Sequence, residues 1–98
     1  SPAGITITGI TPAGKYNETI FVQGSGGPID ITTNPQIVIS GNAVGDELIL
    51  IGRSDTDTLT LDHGTGLALN GQCVLRADSI IHLKFDGTNW VEVSRNDI

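Results

Sequence analysis

Residues 79 to 95, Ser-Ile-Ile-His-Leu-Lys-Phe-Asp-Gly-Thr-Asn-Trp-Val-Glu-Val-Ser-Arg, constrain the fold more than any other stretch of this chain. They contain the single Trp and one of the two Phe. Two β-rich runs flank Asp86-Gly87, a strong hairpin signal because Gly accepts positive φ without a Cβ clash. Parity then limits the turn. Ile81, Leu83 and Phe85 share one face of the first strand, and Val91 and Val93 share one face of the second. Directly opposite residues of an antiparallel pair share a face. An even loop would put the valines with Ile80, His82 and Lys84. An odd loop, Asp86 to Thr88 or Asp86 to Trp90, would put them with Ile81, Leu83 and Phe85. Register is specified where a face is buried, so the expectation is an odd loop with His82, Lys84 and Glu92 on the opposite face and Trp90 near the turn.

The rest of the chain repeats short β signals. Ile5 and Ile7 alternate with Thr6 and Thr8, as in a half-buried strand. Residues 18 to 23 are apolar at three consecutive positions. Ile29 to Thr32 alternates, and Gln36 to Ser40 places Ile37 and Ile39 on one face. Glu47 to Ile51 is apolar on both faces, which marks a strand covered on both sides. Thr58 to Asp62 points Leu59 and Leu61 inward. Leu67 to Leu69 is short, and Cys73 to Arg76 leads to the closing hairpin. The intervening Gly24 to Pro28, Asn34-Pro35, Gly41 to Asp46, His63 to Gly66 and Asn70-Gly71 read as turns. No window keeps helical spacing over about ten residues before Gly or Pro interrupts it. The pattern predicts one compact all-β domain spanning residues 1 to 98, with about ten short, mostly antiparallel strands in a sandwich, jelly-roll or prism. Residues 1 to 35 are expected to act partly as an N-terminal arm. No internal repeat is evident.

Composition narrows function by exclusion. Net charge is −6, which argues against nucleic-acid binding and against charge-driven binding to anionic membranes. No apolar run approaches the ~20 residues of a spanning helix. Cys73 is the single cysteine, so no internal disulfide is possible, and assembly in a reducing compartment is expected. A start at Ser1 suits a small intact protein with its initiator Met removed.

Candidate sites are weak. Asp55, Asp57 and Asp62 with His63 form the densest acidic stretch, but calcium needs about six to eight oxygens and the loop pattern that supplies them is missing. His63 and His82 fall short of the three or four ligands, roughly, that zinc requires, although symmetry mates of either could meet on a three-fold axis. Ser79 and His82 point to opposite faces of one strand, which defeats a triad with Asp86. Cys73 sits in a strand-like run and reads as a small core residue. Gly24 to Gly27 lacks the lysine and the following helix of a phosphate loop. Trp90 and Tyr16, near several Asp, offer stacking faces for a sugar or partner, with burial of Trp90 the competing reading. No catalytic, cofactor-binding or metal residue is assigned.

From residue 36 to 95 the chain resembles a module recurrent in tailed-bacteriophage virion structural proteins. The residues that carry it are Ile39-Ser40-Gly41, Gly45-Asp46-Glu47-Leu48-Ile49-Leu50, Leu59-Thr60-Leu61, Leu67-Ala68-Leu69-Asn70-Gly71 and the whole run from Asp78 to Arg95. The resemblance implies a trimeric, non-enzymatic protein found in small capsid decoration proteins and at the ends of tail fibres and spikes. It implies assembly in the host cytoplasm, a place on the virion, and the major capsid protein or other virion proteins as partners. The short chain and its flexible first third favour a decoration (cement) protein. A fibre or spike tip that binds a host-surface glycan is the alternative. A metal-assisted hydrolase using Asp55, Asp57 and His63 is the remaining class, and it lacks a full ligand set.

Oligomeric state follows from the strands that are apolar on both sides. A lone sandwich of this size has one inner layer, and a three-fold axis would bury the second faces in a shared core. The expectation is a homotrimer with Leu48, Leu50, Ile37 and Ile39 at its interface. Leu50→Asp should then abolish the trimer.

Overall fold

The computed structural model describes residues 5–6, 17–24, 26–31, 36–38 and 44–96. Among these there is no helix, as the Gly and Pro spacing requires. The elements are β1 (Ile5–Thr6), β2 (Asn17–Val22), β3 (Ile29–Asp30), β4 (Ile37–Val38), β5 (Glu47–Gly52), β6 (Leu59–Leu61), β7 (Leu67–Ala68), β8 (Cys73–Leu75), β9 (Ile80–Phe85) and β10 (Trp90–Asn96). Eight of them form two sheets, one in the order β2-β5-β9-β10-β7 and one in the order β3-β6-β8, while the two-residue segments β1 and β4 pair with each other.

The chain lays down two stacked turns. β1, β2 and β3 run parallel beside β4, β5 and β6, taken in the same order. The offset is 30 residues at Asn17↔Glu47 and again at Ile29↔Leu59, and 32 at Ile5↔Ile37. The chain then reverses. β8 lies antiparallel to β6, β9 antiparallel to β5, and β10 folds back on β9 with β7 parallel at its far side. Four of the seven described ladders are therefore parallel, which corrects the expectation of mostly antiparallel pairing. The cause is topological: strands that return after a full turn of chain arrive in the same direction, whereas hairpins reverse it. The described part of residues 1 to 35 is built into these sheets.

Alternation assigns the faces. Leu48 and Leu50 of β5, Ile81, Leu83 and Phe85 of β9, Leu59 and Leu61 of β6, and Cys73 and Leu75 of β8 all point into one core, joined by Ile31, Ile37, Leu67, Leu69 and Trp90. Leu48 and Leu50 are 0% exposed and Ile37 is 1% exposed within the single chain. They fill the protein's own core and leave no surface for a shared axis, so their assignment to a trimer interface is corrected. Ile39 lies outside the described residues. The two-faced pattern of β5 is real nonetheless: its outward apolar residues are Ile49 and Ile51, both half-buried.

The closing hairpin has a four-residue loop, Asp86 to Asn89, with Phe85 paired to Trp90. Asp86 Oδ1 accepts from the Thr88 and Asn89 amides, and the Asp86 amide donates to the Asn89 carbonyl. The even loop reverses the expected parity. Trp90 turns inward at 0% exposure, its ring centroid 5.2 Å from that of Phe85. Val91 pairs with Lys84 on the outer face, and Val93 sits at a bulge, 55% exposed. One indole buries more apolar area than the outward valines would, and that difference selects the register. At the β5 exit, Gly52 is obligatory: a Cβ there would lie 1.9 Å from the Arg76 carbonyl oxygen of the overlying turn.

Candidate functional site

The residues singled out from the sequence do not converge. Among the described residues no group of three or more His, Cys, Asp or Glu could hold a metal ion. Asp55 Oδ1 accepts from the Ala77 amide at 3.3 Å, pinning the loop after β5. Asp62 Oδ1 accepts from Gln72 Nε2, and the Asp62 and Asp30 carboxyls share a hydrogen bond. That bond, with Gln72 assisting, lowers the pKa of Asp62; the Asp62 carboxylate in turn raises that of Asp30. His63 Nδ1 accepts from the Leu69 amide at 3.1 Å, whereas His82 Nε2 pairs with Glu47 Oε1. Apart from His82, each of these groups fastens a turn.

Ser79 is buried, and its Oγ accepts from the Arg76 amide, so it caps the tight turn before β9. Cys73 is buried in the core. Full burial of Trp90 withdraws it as a stacking platform for a sugar or partner, a second correction. Tyr16 lies outside the described residues.

What the fold does assemble is a surface. The outward side of the five-stranded sheet can be read row by row from the registers. One row is Phe21–Ile51–Ile80, the next Thr19–Ile49–His82, and the third runs from Glu47 through Lys84 to Val91. Ile49, Ile51, Ile80 and Val91 are half-buried, while Phe21, Val44 and Val93 are 55%, 71% and 55% exposed. At the centre His82 Nε2 meets Glu47 Oε1 at 2.5 Å, so the polar pair on this face is closed on itself. At one corner the Arg53 guanidinium lies 4.8 Å from the centre of the Phe21 ring. At the opposite corner Val44, Gly45, Lys84, Phe85, Asp86, Val91 and Val93 line a cleft of about 370 Å³. Backbone amides of Asn89 and Thr88 hold the Asp86 carboxyl below the usual carboxylate range, so it is anionic at neutral pH.

Two structural residues had no legible signal in the sequence. Gln36 is 1% exposed and fully bonded: the two Nε2 hydrogens are shared among the Asp62 carbonyl, the Gly64 carbonyl and Thr65 Oγ1, and Oε1 accepts from the Asp62 amide. It locks the β6–β7 turn to the start of β4. Arg95 donates to both oxygens of Glu92 and to the carbonyls of Gln72 and Gly71, tying β10 to the loop after β7. Side-chain amides and ion pairs of this kind depend on three-dimensional neighbours, and neither motif nor periodicity announces them.

Comparison with protein-family models, curated proteins and solved structures returned no match for this chain.

Proposed function

We propose that this chain is a non-enzymatic structural protein of a tailed-bacteriophage particle, a decoration protein that binds the capsid as a homotrimer and reinforces it. The observation that supports this reading is the outer face of the five-stranded sheet. Apolar residues cross four strands there, and among the described residues no second layer covers them. A patch of this kind marks an association surface. Burial supplies the mechanism of assembly: copies that associate through this face remove apolar area from water, at about 25 cal/mol per Å², and leave the rest of the trimer surface to meet the capsid. Three linked copies bind with avidity that one copy lacks. Particles stripped of the protein should lose resistance to heat and to low salt and regain it on add-back. Equal melting with and without it would sink the reading.

A second reading is the end domain of a tail fibre or spike. One feature favours it: β1, β2 and β3 all lie at the same end of the stacked turns, each at an edge of its sheet. An edge row of backbone donors and acceptors can pair with a further strand. Labelling of intact particles separates the two readings by position, shell or tail.

A further inference from the structure

We infer that Phe21 of one copy of this chain inserts into the Val44–Val91–Val93 cleft of the next, and that three such contacts close a ring. The inference rests on the homotrimer reading and gives it an interface.

Three of the chain's large apolar side chains stand out as exposed among the described residues, Phe21, Val44 and Val93. They fall at two opposite corners of one sheet face. Phe21 is a projecting aromatic steadied by Arg53. Val44 and Val93 flank a cleft of about 370 Å³, roomy enough for a benzyl group. The knob cannot reach the cleft of its own chain. β2 and β10 are separated by β5 and β9, three strand spacings or about 14 Å. The Phe21 row and the Val91 row are four residues apart along the strands, about 13 Å. The two corners are thus about 20 Å apart on the diagonal.

That span decides the number of copies. Let three faces form the sides of a triangle, with the Phe21 corner of each against the cleft corner of the next. A side of about 20 Å places each sheet about 6 Å from the axis, close to half of the ~10 Å at which facing sheets pack. Ile49, Ile51, Ile80 and the His82–Glu47 pair, at mid-face, then fill the axis without a void. A head-to-tail contact between two different patches makes a ring when its rotation closes.

Charge favours a second copy of this chain as the occupant. The chain carries −6, yet on this face Arg53 and Lys84 balance Glu47 and Asp86. Like copies therefore meet where they do not repel. The contact also brings the Arg53 beside the knob to the anionic Asp86 at the cleft, which fixes which corner meets which.

Native mass spectrometry of the full chain at micromolar concentration tests this. The wild type should show a three-copy mass. Phe21→Asp, which removes the knob, and Val93→Asp, which spoils the cleft, should each drop to one copy with unchanged circular dichroism, since both positions are exposed. Mixed together, the two variants retain one good knob and one good cleft, and they should form a 1:1 heterodimer. A wild-type trimer that Phe21→Asp leaves intact overturns the contact while the homotrimer stands. A mixture that stays monomeric also overturns the contact. A wild-type dimer overturns the ring, and a wild-type monomer overturns both the contact and the homotrimer.

Discussion

Replacing Trp90 with Ala tests which side of β10 belongs to the core. Trp90 is 0% exposed and packs on Phe85, with 5.2 Å between ring centroids. Loss of a buried Trp side chain costs about 3–5 kcal/mol, including the cavity it leaves. The aromatic pair contributes roughly 0.5–1.5 kcal/mol of this beyond area burial. A single domain is stable by about 5–15 kcal/mol, so Trp90→Ala removes more than half of the total at the lower end. Trp90→Phe keeps the ring contact. It also removes an indole N–H that has no hydrogen-bond partner among the described residues, which limits its cost to about 1 kcal/mol. Val93→Ala, on the exposed bulge, should stay within about 0.5 kcal/mol in a Phe21→Asp background, where no second copy covers it. Urea unfolding followed by far-ultraviolet circular dichroism gives all three values, with unchanged slopes required for the comparison. An odd loop would invert the ranking. If Val93→Ala proves costly and Trp90→Ala mild, the four-residue loop and the outer valine face are both wrong.

Three further outcomes are expected. Gln36→Ala should cost about 2–3 kcal/mol by urea unfolding, because the Asp62 amide and the Gly64 carbonyl lose a buried partner. Gly52→Ala should cost about 3 kcal/mol or prevent folding, since its Cβ would overlap a backbone carbonyl that no rotamer change can move; a soluble variant with wild-type melting temperature would contradict the crossing of the chain at Arg76. Glu92→Gln should be less stable than wild type by up to about 1 kcal/mol at neutral pH. Hydrogen bonds from Arg95, then from the Asn70 amide, lower the pKa of Glu92 in the folded state. Its contribution is therefore complete above the unfolded value, near pH 4.3, and fades as pH falls through the lower folded value, so the two melting curves should converge in acid.

Fold class was legible because alternation is a one-dimensional signal. Leu59 and Leu61, or Ile81, Leu83 and Phe85, declare a face by period alone. The Glu47–Ile51 run announces apolar residues on both faces, but the described residues cover only the Leu48/Leu50 face and leave Ile49 and Ile51 half-buried. Which face looked inward was hidden, because Leu48/Leu50 and Ile49/Ile51 have equal claims until a neighbour packs on one pair. The 30-residue stacking was hidden for a related reason. Ile20 lies beside Leu50, Phe21 beside Ile51 and Val22 beside Gly52, so the repeat is kept in position and not in residue identity. Hairpin parity is misleading in the sequence because two valines argue for an odd loop, whereas one tryptophan at the adjacent position outweighs them once buried. Val44 shows no feature of its own in sequence; the cleft it helps to line exists only because β5 and β10 flank β9.

The central claim is that this chain serves by position on a particle, and counting it on purified virions tests that most directly. Quantitative mass spectrometry against the major capsid protein, combined with antibody labelling of intact particles, gives both number and place. Capsid-wide labelling at a fixed ratio to the shell subunits, in multiples of three, is the predicted result. Purified particles that contain none of the protein would contradict it.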